Sequence, residues 1–420
     1  MIENLLKYAA RDHLARNSFF IMMGTGVVSG FGFIFWIIAA RMFSTESVGI
    51  ATTTISATSL ISLLSQLGAN ISLIRFLPTE KNRSALITSW YLLVAATTFI
   101  LCFLFLLFIN IFSPGLKFIS ENIFYFISFC FFGVATSLNS LQESTFTAYR
   151  AAHNIFIKNT IISVFKVALP VLLVGLGAYG IFSSVSIAII AGITFGFYSL
   201  IKNYNYHPTL SFDQEIVKKT AHYSLINYAV GFLYQAPNFI LPLIILNLLA
   251  AKSAAFFYID SMIFNLLIVV PLASSQSLLT EGSYSIEDVR NHTARSIKIT
   301  AGLLIPAILV IFFFGNLVLK VFGKSYEAEA FELLRLFAIS SFFTSFILIG
   351  TSILRISHRL GQLLILNFIG CASTIIFCVF LARYGLVTIG WGFLASQILT
   401  SIFFALSVKE EFITGRRLKK

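Results

Sequence analysis

Among the ionisable residues inside long apolar stretches of this 420-residue chain, Glu143, Lys166 and Asp260 are the candidates for chemistry. A charge near the centre of a bilayer costs roughly 2.5–3.5 kcal/mol even on the most lenient insertion scale, so each needs a physical reason. Lys166 stands about ten residues into its stretch, roughly 15 Å from the end at 1.5 Å per residue. Its ammonium there would attract a phosphate. Glu143, near the inner end of the preceding stretch, would instead neutralise Lys166 if the lysine stem reaches toward the inner face. An anion site and a structural ion pair are equally open. Asp260 is a candidate for binding a proton or a sodium ion, or an acid that reaches the outer interface.

Neutral polar residues are the second source of chemistry. Thr52, Ser56, Ser59, Gln66 and Asn70 follow helical spacings in one stretch, and Asn227, Gly231, Tyr234 and Asn238 do so in another, with Gln235 alongside. A third stretch offers Ser261, Asn265, Ser275 and Gln276. Lipid cannot satisfy such groups, so the stripes face a neighbouring helix or a wet cavity. Packing is the better expectation for Ser and Thr. Gln66, Asn70, Asn227, Tyr234, Gln235, Asn238 and Asn265 are expected to line a cavity, with Lys166.

Arg16, Arg75 and Arg150 end helices on one side of the membrane. Individually they suit topology and headgroup contact. Together they would form a basic inner mouth that holds a pyrophosphate, which arginine binds bidentately. Pro237 and Pro242 interrupt helical hydrogen bonding and mark a possible gate hinge. Gly26 and Gly30 have the spacing of a close helix contact. The four cysteines show neither metal nor disulfide spacing, so no metal site and no cofactor are expected.

The elements that position these residues follow from composition. With 58% hydrophobic and 11% charged residues, the chain is far too apolar for a soluble domain, whose charged share is about 25%. Twelve runs approach the roughly 20 residues a membrane-spanning helix needs: 18–40, 48–67, 85–112, 122–147, 156–178, 181–201, 221–247, 254–279, 295–319, 331–354, 361–382 and 386–408. The spacing lacks the period-two alternation of a barrel. With both termini in the cytoplasm, 21 of the 29 Lys and Arg fall inside, as the positive-inside rule requires. The net charge of +12 therefore needs no nucleic acid. No cleavable signal peptide is evident, and Ile2 to Arg16 suits a short interfacial helix. Short outer loops leave no domain for a glycosyl transferase, and there is no P-loop, so the chain is not expected to be an enzyme.

The expected architecture is all-α: a six-helix lobe over 1–201, a cytoplasmic linker over 202–220, a second six-helix lobe over 221–408 and a basic tail over 409–420. The segments 148–182 and 353–387 match at an offset of 205, setting Arg150 on Arg355 and Tyr179-Gly180 on Tyr384-Gly385. An even number of spans per half makes the repeats parallel, around a central cavity.

The stretch Ala40-Arg41-Met42-Phe43-Ser44-Thr45-Glu46-Ser47-Val48-Gly49 resembles the first outer turn of the polysaccharide flippases. Leu67-Gly68-Ala69, Leu73 to Pro78, the two prolines of the seventh span and Leu278-Leu279-Thr280-Glu281 extend the likeness. The chain resembles the polysaccharide or O-antigen (Wzx-type) branch of the multidrug/oligosaccharidyl-lipid/polysaccharide exporter superfamily. That resemblance implies two lobes around a cavity lined by spans one, two, seven and eight. It also implies an oligosaccharide cargo joined by phosphate or pyrophosphate to a polyprenyl lipid. The expected partners are this substrate, membrane lipids and a coupling H+ or Na+. The expected setting is the cell membrane, with the protein working as a monomer. A cation-coupled exporter of small amphipathic compounds on the same fold is the alternative.

Overall fold

The computed structural model describes residues 13–209, 212–284 and 288–413. The N-terminal interfacial segment, the tail beyond 413 and the side chain of Arg16 lie outside the described residues. Among the described residues, twelve helices are long and apolar enough to cross a bilayer. They are α1 (His13–Met42), α2 (Thr45–Ser65), α3 (Arg83–Leu107), α4 (Ile123–Ala148), α5 (Ala152–Leu172), α6 (Gly177–Tyr204), α7 (Gln214–Leu248), α8 (Ala251–Tyr284), α9 (Val289–Phe322), α10 (Phe331–Ile356), α11 (Leu360–Ala382) and α12 (Leu386–Ile413). Short helices fill the turns, including Lys324–Glu329 between α9 and α10.

The chain divides into two compact units, Met1–Tyr228 and Ala229–Lys420. The division falls inside α7, beyond the polar connection. That connection is fastened to the first unit: Tyr206 is buried and its hydroxyl bonds Thr88 at 3.0 Å. The backbone N–H groups of His207 and Asp213 donate to Ser84 and Ser89, and the Trp90 indole donates to Thr220. The Asp213 carboxylate accepts from the Ile216 N–H and so caps α7. Burial of the Tyr206 phenol raises its pKa, opposed by the bond to Thr88.

Within the first unit, polar groups bond one another across helix contacts because no solvent reaches them. Thr98 of α3 donates to Ser65 of α2 at 2.7 Å and to Ser137 of α4 at 2.9 Å. Tyr91 meets Thr145, the Gln142 amide donates to the Ile193 carbonyl, and Asn154 donates to Tyr204. Thr52 and Ser56 are buried and bond back to Gly49 and Thr52 carbonyls, so they serve packing. The second spanning helix ends at Ser65. After Ser65 the backbone turns through Leu67 (φ 47°) and Gly68 (φ 86°) before a short helix, Ala69–Phe76. The stripe from Thr52 to Asn70 is therefore broken at Gln66.

In the second unit, Ser352 of α10 donates to the Ser275 carbonyl of α8, and Thr374 of α11 meets Ser396 of α12. Arg335, whose charge interrupts the tenth apolar run, lies in the second turn of α10. It pairs with Glu332 at 2.9 Å, donates to the Phe312 carbonyl and stacks on Phe331.

The internal repeat is present, with a different register from the sequence match. Arg150 (φ 55°) follows α4 and His358 (φ 55°) follows α10, each closing the same left-handed helix ending. Ala151 N–H reaches the Phe146 carbonyl, and Arg359 N–H reaches that of Leu354. Gly177, the first residue of α6, and Gly385, just before α12, likewise have positive φ. Structural equivalence is thus shifted by about one helical turn from the pairing of Arg150 with Arg355. Tyr179 is buried against Tyr125 and hydrogen-bonds Ser128, whereas Tyr384 is exposed. The two Tyr-Gly pairs are not structural counterparts. Gly26 and Gly30 have nothing within 4 Å of an added Cβ, so they form no close helix contact among the described residues.

Gly68 carries the tightest steric demand at a special backbone position. A Cβ there would come within 2.9 Å of Ser224 Cβ and 3.2 Å of its backbone, on top of about 1–2 kcal/mol of left-handed strain. Gly68→Ala is expected to lower the thermal unfolding midpoint in detergent by several degrees, with Gly26→Ala unchanged. Equal midpoints for the two variants would show that the turn after Ser65 is not built around this glycine.

Candidate functional site

The second unit encloses a cavity between α7, α8, α10, α11 and α12. Tyr234, Pro237 and Asn238 line it from α7, and Phe264 and Asn265 from α8. Thr344 comes from α10, Asn367 and Thr374 from α11, and Phe393, Gln397 and Thr400 from α12. No charged side chain is in the lining. The cavity measures about 70 Å³, room for a handful of water molecules.

Its far wall is a bonded network. Thr344 donates to the Gln397 carbonyl oxygen at 3.0 Å, Gln397 reaches Ser396, and Asn367 donates to the Leu363 carbonyl. Its near wall is unspent. Among the described residues, the side chains of Tyr234, Asn238 and Asn265 make no hydrogen bond, and the buried Thr400 hydroxyl has no partner. Pro237 and Pro242 add to this. Lacking N–H, they leave the carbonyls of Leu233 and Asn238 without the usual helical donor four residues on, and both residues line the cavity. The site therefore offers amide donors, carbonyl acceptors and the rings of Tyr234, Phe264 and Phe393 without a fixed charge.

The structure brings Tyr234, Asn238 and Asn265 together in one pocket. Gln235 is exposed on α7 outside the lining. Asn227 belongs to the part of α7 in the first unit. Gln66 is nearly buried at the end of α2, and Asn70 bonds the adjoining N–H of Ile71. The contributions of α10, α11 and α12 were not anticipated. Their signal was available in Asn367 and Gln397, amides inside very apolar helices.

Two charged sites differ from expectation. Glu143 pairs with Lys158 at 3.4 Å, and no carboxylate pairs with Lys166 among the described residues. Lys158 lies within α5, fully buried, and its ammonium also donates to the Asn139 carbonyl and side-chain oxygen at 3.0 and 2.8 Å. Helix α5 begins at Ala152. Lys166 instead rests its ammonium on the Phe35 ring at 4.5 Å and near that of Trp36 at 6.0 Å. Asp260 does not reach an interface: it is fully buried, and neither carboxylate oxygen has a hydrogen-bond partner. It lies one turn along α8 from Phe264, on the same face. Arg75 ends the short helix Ala69–Phe76, which packs on α4, and Arg150 occupies the left-handed turn after α4. Both are exposed.

An all-helical chain with twelve potential spans and a polar, uncharged cavity has the make-up of a membrane transporter. Residues 14–278 match the family model described as polysaccharide biosynthesis protein, and the chain belongs to that family. Solved structures share its fold. An inward-facing multidrug resistance MATE family transporter of the MOP superfamily is 13% identical, covering 91% of this chain and 96% of its own, with a TM-score of 0.71. A MOP superfamily transporter from Pyrococcus furiosus, whose reversed binding-pocket polarity suggests a different function, is 15% identical, with coverage of 97% and 96% and a TM-score of 0.68. An outward-facing MATE transporter is 14% identical, with coverage of 97% and 96% and a TM-score of 0.66. No curated protein sequence matches.

The buried pair gives a direct test of how α4 and α5 are joined. Glu143→Gln leaves a buried ammonium with only Asn139, whereas Lys158→Met removes the charge itself. Because Glu143 is partly open to solvent, the first change is expected to destabilise the protein by about 1–2 kcal/mol more than the second. Chemical unfolding in detergent reads the difference, and the opposite order would mean that Glu143 does not hold Lys158.

Proposed function

We propose that this membrane exporter is a flippase. It moves a polyprenyl-phosphate- or pyrophosphate-linked oligosaccharide from the cytoplasmic to the outer leaflet by alternating access, for cell-surface polysaccharide synthesis. The observation that carries the reading is the uncharged cavity lined by free amides, hydroxyls and aromatic rings. Such a lining hydrogen-bonds a passing sugar without holding it by charge. No covalent chemistry is required, and the lipid tail stays in the bilayer as the head crosses.

The basic helix ends support an orientation with both termini in the cytoplasm of a multi-pass cell-membrane protein. Arg16, Arg75 and Arg150 then recruit the phosphate at the inner mouth, and Lys166, unpaired with any carboxylate among the described residues, is the intramembrane cation available to it. Asp260 supports coupling. A buried carboxylate with no hydrogen-bond donor calls for a proton or a cation, so H+ or Na+ is the driving ion. Pro237 and Pro242 supply the flexible part of the gate. One chain holds both units, and a monomer is sufficient. A cation-coupled exporter of small amphipathic compounds would share Asp260. The uncharged cavity favours the sugar cargo.

Depleting the protein in its native cell is expected to accumulate a complete lipid-linked oligosaccharide on the cytoplasmic face, read by mass spectrometry, and Lys166→Ala should fail to clear it. Unchanged lipid pools after full depletion would favour the small-molecule exporter. In the same assay, Asn238→Leu combined with Asn265→Leu should slow translocation roughly 5- to 100-fold, since each lost neutral hydrogen bond is worth about 0.5–1.5 kcal/mol. Wild-type clearance by that double variant at equal abundance would remove the cavity from the transport path.

A further inference from the structure

A second concavity in the same unit lies outside everything used above. It is a groove of about 640 Å³ between α8 and α9. Its composition changes along its length. Glu281, His292 and Arg295 stand at one end, Ser274, Ser277 and Ser296 occupy the middle, and Val269, Ile299 and Leu303 form the far end. From His292 to Leu303 the groove follows α9 for roughly 16 Å at 1.5 Å per residue. That is close to the half-thickness of a hydrocarbon core of about 30 Å. Charge, then hydroxyl, then hydrocarbon over one leaflet's depth is the order of groups in a bilayer lipid.

The charged end narrows the choice of lipid. Among the described residues, neither Glu281 nor His292 nor Arg295 makes an ion pair or side-chain hydrogen bond. A cation and an anion thus share one end of the groove without cancelling each other. Arg295 suits a phosphate, which it can hold with two parallel bonds, and His292 adds an N–H donor. Glu281 would repel a second negative charge there, and its oxygens need N–H donors. The middle of the groove is already partly spent, because Ser274 and Ser296 bond each other at 2.7 Å. Ser277 is exposed and has no bond of its own, leaving a donor at the depth of the ester carbonyls.

We propose that this groove holds a phospholipid with a primary amine in its headgroup, of the phosphatidylethanolamine class, with its phosphate on Arg295 and His292 and its ammonium on Glu281. The lipid is resident and is not cargo. It occupies the leaflet faced by the Arg- and Lys-rich start of α9. Phosphatidylcholine offers the same phosphate and a quaternary ammonium without N–H, and phosphatidylglycerol offers no ammonium.

The test is native mass spectrometry of the purified full-length protein, titrated with phosphatidylethanolamine, phosphatidylcholine and phosphatidylglycerol of identical acyl chains. Wild-type protein is expected to retain the ethanolamine lipid about tenfold over the choline lipid. Glu281→Gln should abolish that preference while leaving phosphatidylglycerol binding intact or raised, and Arg295→Gln should weaken all three. Glu281 is exposed, so its variant should keep the wild-type melting midpoint and carry the test even if Arg295→Gln unfolds. Equal retention of the ethanolamine and choline lipids would overturn the proposal. So would a wild-type preference for phosphatidylglycerol, or a Glu281→Gln profile indistinguishable from wild type.

Discussion

A bilayer core contains no water to take up an unmet hydrogen bond, and an unsatisfied polar group there costs several kcal/mol. That constraint sorts the polar residues of this protein into two populations. The hydroxyls of Ser65, Thr98 and Ser137 are spent on one another, and the Gln142 amide on a backbone carbonyl. Even the Lys158 ammonium has two oxygens of Asn139 and the carboxylate of Glu143. These groups are scaffold, because their bonds tie one helix to another, although the Gln142 side-chain oxygen itself has no partner. Tyr234, Asn238, Asn265, Thr400 and Asp260 are the other population. Groups that make no internal bond in a low-dielectric setting are where an exchangeable ligand gains most, since its hydrogen bonds compete with none already made.

The same accounting explains where α7 can yield. Its first half is fastened to the first unit by Thr220, by the tight approach of Ser224 to Gly68, and by the Tyr228 hydroxyl on the Leu63 carbonyl at 2.6 Å. Its second half carries Pro237 and Pro242, and each removes one bond from the helical ladder. Stiffness and compliance are therefore distributed along a single helix. The compliant part is the part that lines the cavity.

The membrane class, twelve spans and two-fold repeat were legible in the sequence because they rest on composition and length, which tertiary packing does not rewrite. That Tyr234 and Asn238 share one face of α7 was legible for a related reason, since helical spacing fixes which residues share a face. Pairings between helices were not. Nothing in spacing says that Glu143 meets Lys158 and not Lys166, because that depends on where α5 begins and how it rotates against α4. The repeat register failed similarly: Tyr-Gly recurs, while the positive-φ residues that mark equivalent turns are Gly177 and Gly385. The turn after Ser65 left its trace in Gln66-Leu67-Gly68, where the second apolar run ends.

Cavity size constrains how such a site would work. About 70 Å³ gives room for a handful of waters, far less than an oligosaccharide occupies, so oligosaccharide binding here would require the walls to part. The far wall resists, because separating α10 from α12 breaks the Thr344–Gln397 bond and separating α11 from α12 breaks Thr374–Ser396. The wall formed by α7 and α8 breaks no side-chain hydrogen bond of Tyr234, Asn238 or Asn265 when it moves, and α7 already lacks two ladder bonds there. Opening along that wall would expose just the groups that need partners. The energy returned by binding is then largest in the conformation that binding requires, which is the condition under which a ligand shifts a conformational equilibrium.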